Sequence, residues 1–166
     1  MLLIDVEKVH KQKMNFIGFS TKASLNEDIH FNIVKNLREQ VLIQIPYIKN
    51  RIEDSIFLIQ VYDEEEWTPD TPYTHIVAVG VSDFSFVPND MITHTIPNGE
   101  FLVFKHQGPE EGIDSTYMAM NEWLEDNNYV TPRPFDIEQW DDLAAMNNHD
   151  HIINSIYHYN LLNHMD

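Results

Sequence analysis

The sequence contains no cysteine. That absence excludes disulfides, thiol nucleophiles and zinc–thiolate centres. Cations are scarce: ten Lys and Arg stand against 27 Asp and Glu, for a formal charge of −17. They are also unevenly spread, since only Lys105 and Arg133 lie beyond Arg51. Phosphate backbones are gripped by basic surface, so direct nucleic-acid binding is not expected. A cationic small ligand or a basic partner suits this field better. No apolar run approaches the ~18 residues of a membrane-spanning helix, and no membrane association is expected. The opening MLLIDVEKVHKQK lacks a basic leader followed by an apolar run. No signal peptide is read there, and a soluble cytoplasmic protein is expected. Walker loops, G-x-S-x-G elbows and dinucleotide fingerprints are missing too, and no cofactor is expected.

What is present is a chain of 166 residues, 43% hydrophobic, enough for one domain (1–166) with a real core. Residues 6–22 read as one long strand region. Ser24 and Glu27 form a capping-box pattern. Ile29, Ile33, Leu37 and Val41 follow at four-residue spacing, the buried stripe of a helix over about 26–45 that ends near Pro46. Residues 55–62 are a β-rich run, 64–72 a loop with two prolines, and 73–86 a strand. A Pro-Asn-Gly turn and a strand occupy 94–108. Ile113, Tyr117, Met120 and Leu124 share a stripe of a second helix at 114–126. The segments 130–140 and 151–162 read as extended. The order strand–helix–strand–strand thus occurs twice, about 1–87 and 91–162. It implies an α+β fold, with two helices on an antiparallel sheet and a cleft between the repeats.

One stretch stands out. In FDIEQW, 135–140, alternation puts Asp136, Glu138 and Trp140 on one face of a strand. A solvent face would carry the acids without the indole; a core face would carry the indole without the acids. On the residues alone two readings stand. Either Trp140 packs at a sheet edge beside a solvated Glu138, or both belong to a ligand cleft.

Around it, the residues Pro97, Gly99, Phe101, Phe104, Gly108, Tyr117, Trp123, Leu124, Glu138 and Trp140 follow a pattern. It runs from a proline–small–glycine turn, an aromatic and a glycine-ended strand to a helix with tyrosine and tryptophan–leucine. A strand with glutamate two residues before an aromatic completes it. This pattern resembles the GyrI-like (gyrase-inhibitor-like) effector-binding domain, found in AraC-type and MerR-type transcription activators and as stand-alone proteins. The match is specific from 94 to 140 and loose before 60. Two positions depart from the family: Phe101 replaces the usual tyrosine, and the last strand carries His158 and Asn160. Because residues 1–22 already read as strand, the stand-alone form without its own DNA-binding module is expected.

The resemblance implies that Glu138 lies in a cleft between the repeats, lined by aromatics. Glu138, Trp140, Phe101, Tyr117, Tyr73 and Trp67 would then bind a flat aromatic or cationic molecule by charge and cation–π attraction, for sensing or sequestration. For Trp67, pinning of its loop is the competing reading. A second function class uses the same residues: a hydrolase of strained electrophiles, with Glu138 as general acid or base and Tyr117 orienting water or leaving group. A homo-oligomer or a protein partner is compatible with either. His149, His151, His158 and His164 cluster near the C-terminus, but they lack a ligand motif and no metal is expected.

Overall fold

The computed structural model describes residues 5–62, 66–108, 112–129, 135–140 and 152–159, with 107–108 and the last stretch as backbone. Eight strands form one antiparallel sheet: β1 (Val6–Lys11), β2 (Met14–Ala23), β3 (Ile56–Val61), β4 (Tyr73–Val81), β5 (Ile92–Ile96), β6 (Gly99–Gly108), β7 (Phe135–Trp140) and β8 (Ile152–Tyr159). Among the described residues, three α-helices accompany them, α1 (Leu25–Phe31), α2 (Ile33–Gln44) and α3 (Ile113–Asp126), with one 3-10 turn at Ile45–Tyr47. The α+β class expected from the sequence is what the chain adopts. None of these helices is long and apolar enough to cross a membrane.

The strand order is β1-β6-β8-β7-β3-β4-β2-β5. Read outward from the centre, β7-β8-β6-β1 on one side mirrors β3-β4-β2-β5 on the other. In each half a helical segment lies between the second and third strands in chain order. The outermost strand of each side comes from the other half of the chain: β1 pairs with β6, and β5 with β2. The single strand region expected over 6–22 is two strands, broken at Gln12 and Lys13.

Those short connections curl the sheet. Strands β1 and β2 lie six places apart in the order, about 29 Å on a flat sheet at ~4.8 Å per strand. Only two residues join them, a reach of ~11 Å. The link from β5 to β6, also six places apart, is equally short. The edges must therefore swing toward each other. Gly18 marks a tight point. A Cβ there would stand 2.0 Å from the Val77 carbonyl oxygen and 2.6 Å from Ala78 Cβ.

Helices α2 and α3 pack on one and the same face of the sheet. The αL residue Asn32 (φ 54°) separates α1 from α2. Its turn shifts the buried stripe to Val34, Leu37 and Val41, and leaves Ile29 68% exposed. The single continuous stripe expected through Ile29 therefore does not form. Ser24 caps α1 as expected: its Oγ accepts from Glu27 N–H while the Glu27 carboxylate accepts from Ser24 N–H. Helix α2 packs on Ile17, Ile56, Leu58, Val77, Val79 and Trp140. Helix α3 packs Met120 and Leu124 on Leu102 and Phe104, with Tyr117 alongside. The other, concave face closes on itself through Phe16, Phe57, Ile59, Ile76, Phe101 and Ile137.

Candidate functional site

The middle strands β7 and β3 carry part of α2 through Ile56, Leu58 and Trp140, while α3 packs on β6, two strands beyond β7. Their helix-side residues follow from register. Glu138 is paired with Leu58, and Asp136 with Gln60; Gln60 is paired in turn with His75. Alternation then adds Tyr62 on β3's continuation and Tyr73 on β4. The helix face thus becomes more polar from Trp140, under α2, toward Tyr62 and Tyr73.

Glu138 is buried, and both its oxygens are engaged. Tyr117 on α3 donates its hydroxyl to Oε2 at 2.7 Å, and Trp140 donates its indole N–H to Oε1 at 3.1 Å. This accounts for the neighbouring acid and indole. Trp140 sinks its ring into the apolar cluster under α2 and presents its N–H edge to the carboxylate. The Arg38 guanidinium lies over the outer ring face at 5.1 Å from its centroid. The solvated-edge reading of Glu138 is incompatible with this burial.

Two residues upstream, Asp136 is also buried and accepts from the Tyr62 hydroxyl at 2.9 Å. Tyr62 stacks on Tyr73, with centroids 5.3 Å apart, and Trp67 meets Tyr73 edge-on at 6.2 Å. Trp67 is 44% exposed, at the rim. Its loop is tied to α1: Asn26 N–H donates to Pro69 O, and the Asn26 amide donates to Asp70.

Charge concentrates here. Burial raises the Tyr73 phenol above its ordinary pKa, and Asp28, Glu138 and Asp136 raise it further. Tyr117 is raised for the same first reason, then by Glu138 and Asp136. Both phenols are thus held neutral, and Tyr117 acts as a donor. His75, under Tyr73 at 4.2 Å, has its pKa lowered by burial. Its Nε2–H donates to Ala23 O, and Gln60 Nε2 is 3.5 Å from Nδ1, an arrangement that suits the neutral ring.

Five of the six residues expected from the sequence meet here: Glu138, Trp140, Tyr117, Tyr73 and Trp67. Phe101 does not. Its register partner Val9 lies on the concave face, and Phe101 is buried there with Val103 and Ile137. Leu102 takes the helix-side place on β6. The reason is parity: a one-residue offset puts a side chain through the sheet. Sequence reasoning put Asp136 on the face of Glu138 without counting it in the site, and missed Tyr62 and His75. The signal was there, because Asp136 shares the parity of Glu138, and His75 that of Tyr73. Among the described residues, no three His, Asp or Glu gather to hold a metal ion. His149, His151 and His164 lie outside those residues, and His158 is described as backbone.

A family model for integron-associated effector-binding proteins matches residues 9–157. The chain belongs to this family. No curated protein matches it in sequence. Among solved structures, SAV2435 bound to tetraphenylphosphonium superposes with a TM-score of 0.72 at 12% identity, covering 97% of each chain. The EcmrR C-terminal domain gives 0.67 at 15% identity, covering 95% of this chain and 98% of that one. In its DNA complex the EcmrR chain is longer, and this chain spans 58% of it. An integron cassette protein of Vibrio cholerae gives 0.60 at 12% identity, covering 93% and 94%. At these identities the likeness is one of fold. The family and fold agree with the GyrI-like resemblance carried by residues 94–140.

Proposed function

We propose that this chain binds a small aromatic cation on the helix-bearing face of its sheet, between α2 and α3, as a sensor or a sequestering protein. The observation that carries the reading is Glu138, a buried carboxylate held by one phenol and one indole with a second buried carboxylate, Asp136, two residues away. Burial lowers the effective dielectric, so attraction between these carboxylates and a cation exceeds its value in water. Tyr62, Tyr73 and Trp67 supply ring faces, each contributing roughly 0.5–2 kcal/mol toward a cation. The lipophilic cation seen on the related fold of SAV2435 supports the same chemistry. The charge of −17 supports action without DNA contact by this domain itself.

The test is calorimetric titration with tetraphenylphosphonium. Micromolar binding, about −8 kcal/mol, is expected for the wild type. Glu138→Gln keeps the shape. Its amide accepts from Trp140 and donates to the Tyr117 oxygen, because a hydroxyl can reverse its role. Stability should therefore change by less than ~1 kcal/mol while affinity falls about tenfold. Equal affinity in both proteins would remove Glu138 from the site. Steady hydrolysis of an electrophilic probe, lost in Glu138→Gln, would instead favour the hydrolase class.

A further inference from the structure

The concave face holds a cavity of about 380 Å³ at the end spanned by the β1–β2 turn. This volume falls within the few hundred Å³ typical of small-molecule sites. Its floor is apolar: Phe16 and Phe57 meet edge-to-face at 5.0 Å, and Ile137 lies beside them. Its charged wall is unusual for this protein. Lys11 and Lys13, two of only ten cations, line it, and Glu53 is the one acid among its described lining residues. Across the whole chain an excess of 17 negative charges opposes an anion, whereas the described lining of this cavity is net positive. Gly80 borders the space. A Cβ at Gly80 would meet Ile52 at 3.4 Å and Phe57 at 3.9 Å, ordinary contacts, so a side chain is tolerated there and takes up room.

We propose that this cavity is a second ligand site, for a small aromatic carboxylate. The ring lies on Phe16, Phe57 and Ile137, and the carboxylate is held between Lys11 and Lys13. The site is separate from the one around Glu138 and has opposite charge preference. The two lie back to back across β7, with Ile137 facing this cavity and Glu138 the helices.

The probe is 2-naphthoate, with neutral 2-naphthalenemethanol as control, titrated by calorimetry into the full chain. The wild type should bind naphthoate in the micromolar-to-millimolar range, more weakly as ionic strength rises, because the exposed Lys13 and half-buried Lys11 are reached by salt. Lys11→Gln with Lys13→Gln should weaken naphthoate about fivefold and leave the alcohol unchanged. Gly80→Leu should remove binding of both. Glu138→Gln should leave naphthoate binding intact. The lysines sit at a turn, so their substitution tests the proposal even where Gly80→Leu fails to fold. Three results overturn it: no naphthoate binding at millimolar concentration, binding indifferent to the lysine pair, or binding lost in Glu138→Gln.

Discussion

Asp136, Glu138 and Trp140 point to one side of β7, and Phe135, Ile137 and Gln139 to the other; the two sides meet burial in different ways. On the concave side Ile137 needs only apolar neighbours, and Phe57, Ile59 and Phe101 are among those that form its cluster. Burial there is favourable for each methylene removed from water, whatever its direction. On the helix side every polar atom of Glu138 requires a donor at a set distance, since a buried charge without partners is strongly unfavourable. Trp140 supplies one from the same strand, and the phenols come from elsewhere in the chain: Tyr117 lies 21 residues from Glu138, and Tyr62 lies 74 residues from Asp136. Non-directional packing holds one face. Directional contacts build the other, and these are what a cation can use.

Substitutions on the same strand can break this comparison. Trp140→Ala and Ile137→Ala should each lower unfolding free energy in urea, by about 3–5 and 2–5 kcal/mol respectively, because both empty a packed core. Only Trp140→Ala should also weaken tetraphenylphosphonium. Equal loss of affinity in Ile137→Ala would mean that the faces do not divide stability from recognition.

Tyr117→Phe sharpens the point with a smaller effect. It leaves Glu138 one donor short, which should cost about 1–3 kcal/mol by the same urea assay. No loss of stability would show that the 2.7 Å bond is replaced by water.

Alkaline titration reads the same phenols. Tyr73 and Tyr117 have folded pKa values above the ordinary 10.0, so the native state keeps their protons longer than the unfolded chain does. Their contribution is complete below pH ~10 and is lost as pH rises through the folded values. Ultraviolet titration should find two of the seven tyrosines silent until unfolding. Ionisation of all seven in the folded protein would contradict their burial beside carboxylates.

The smallest effect is expected in acid. His75 and His94 have their pKa lowered by burial, so the native state resists a proton that the unfolded chain accepts. Their contribution is present above pH ~6.5 and is lost as pH falls through the lowered values. Unfolding free energy should decline over that window, and His75→Gln should flatten the decline. An unchanged slope would assign the loss to other groups.

By itself the sequence determined what depends on neighbours along the chain. Alternation in FDIEQW put two acids and an indole on one face, and the spacing of Tyr117, Met120 and Leu124 defined the buried stripe of α3. The Ser24–Glu27 pair marked where a helix starts. Only the tertiary structure decided what depends on strands meeting at long range. Phe101 and Glu138 fall on opposite faces because β6 reaches β7 through β8, and parity within one strand carries no information about register with another. Asn32 split the helix because one αL residue rotates everything after it, which four-residue spacing cannot reveal. The partners of Asp136 and His75 were likewise out of reach: Tyr62 and Ala23 become neighbours only when the pairings of β3 with β7 and of β2 with β4 are set, and pairing is a property of the folded sheet.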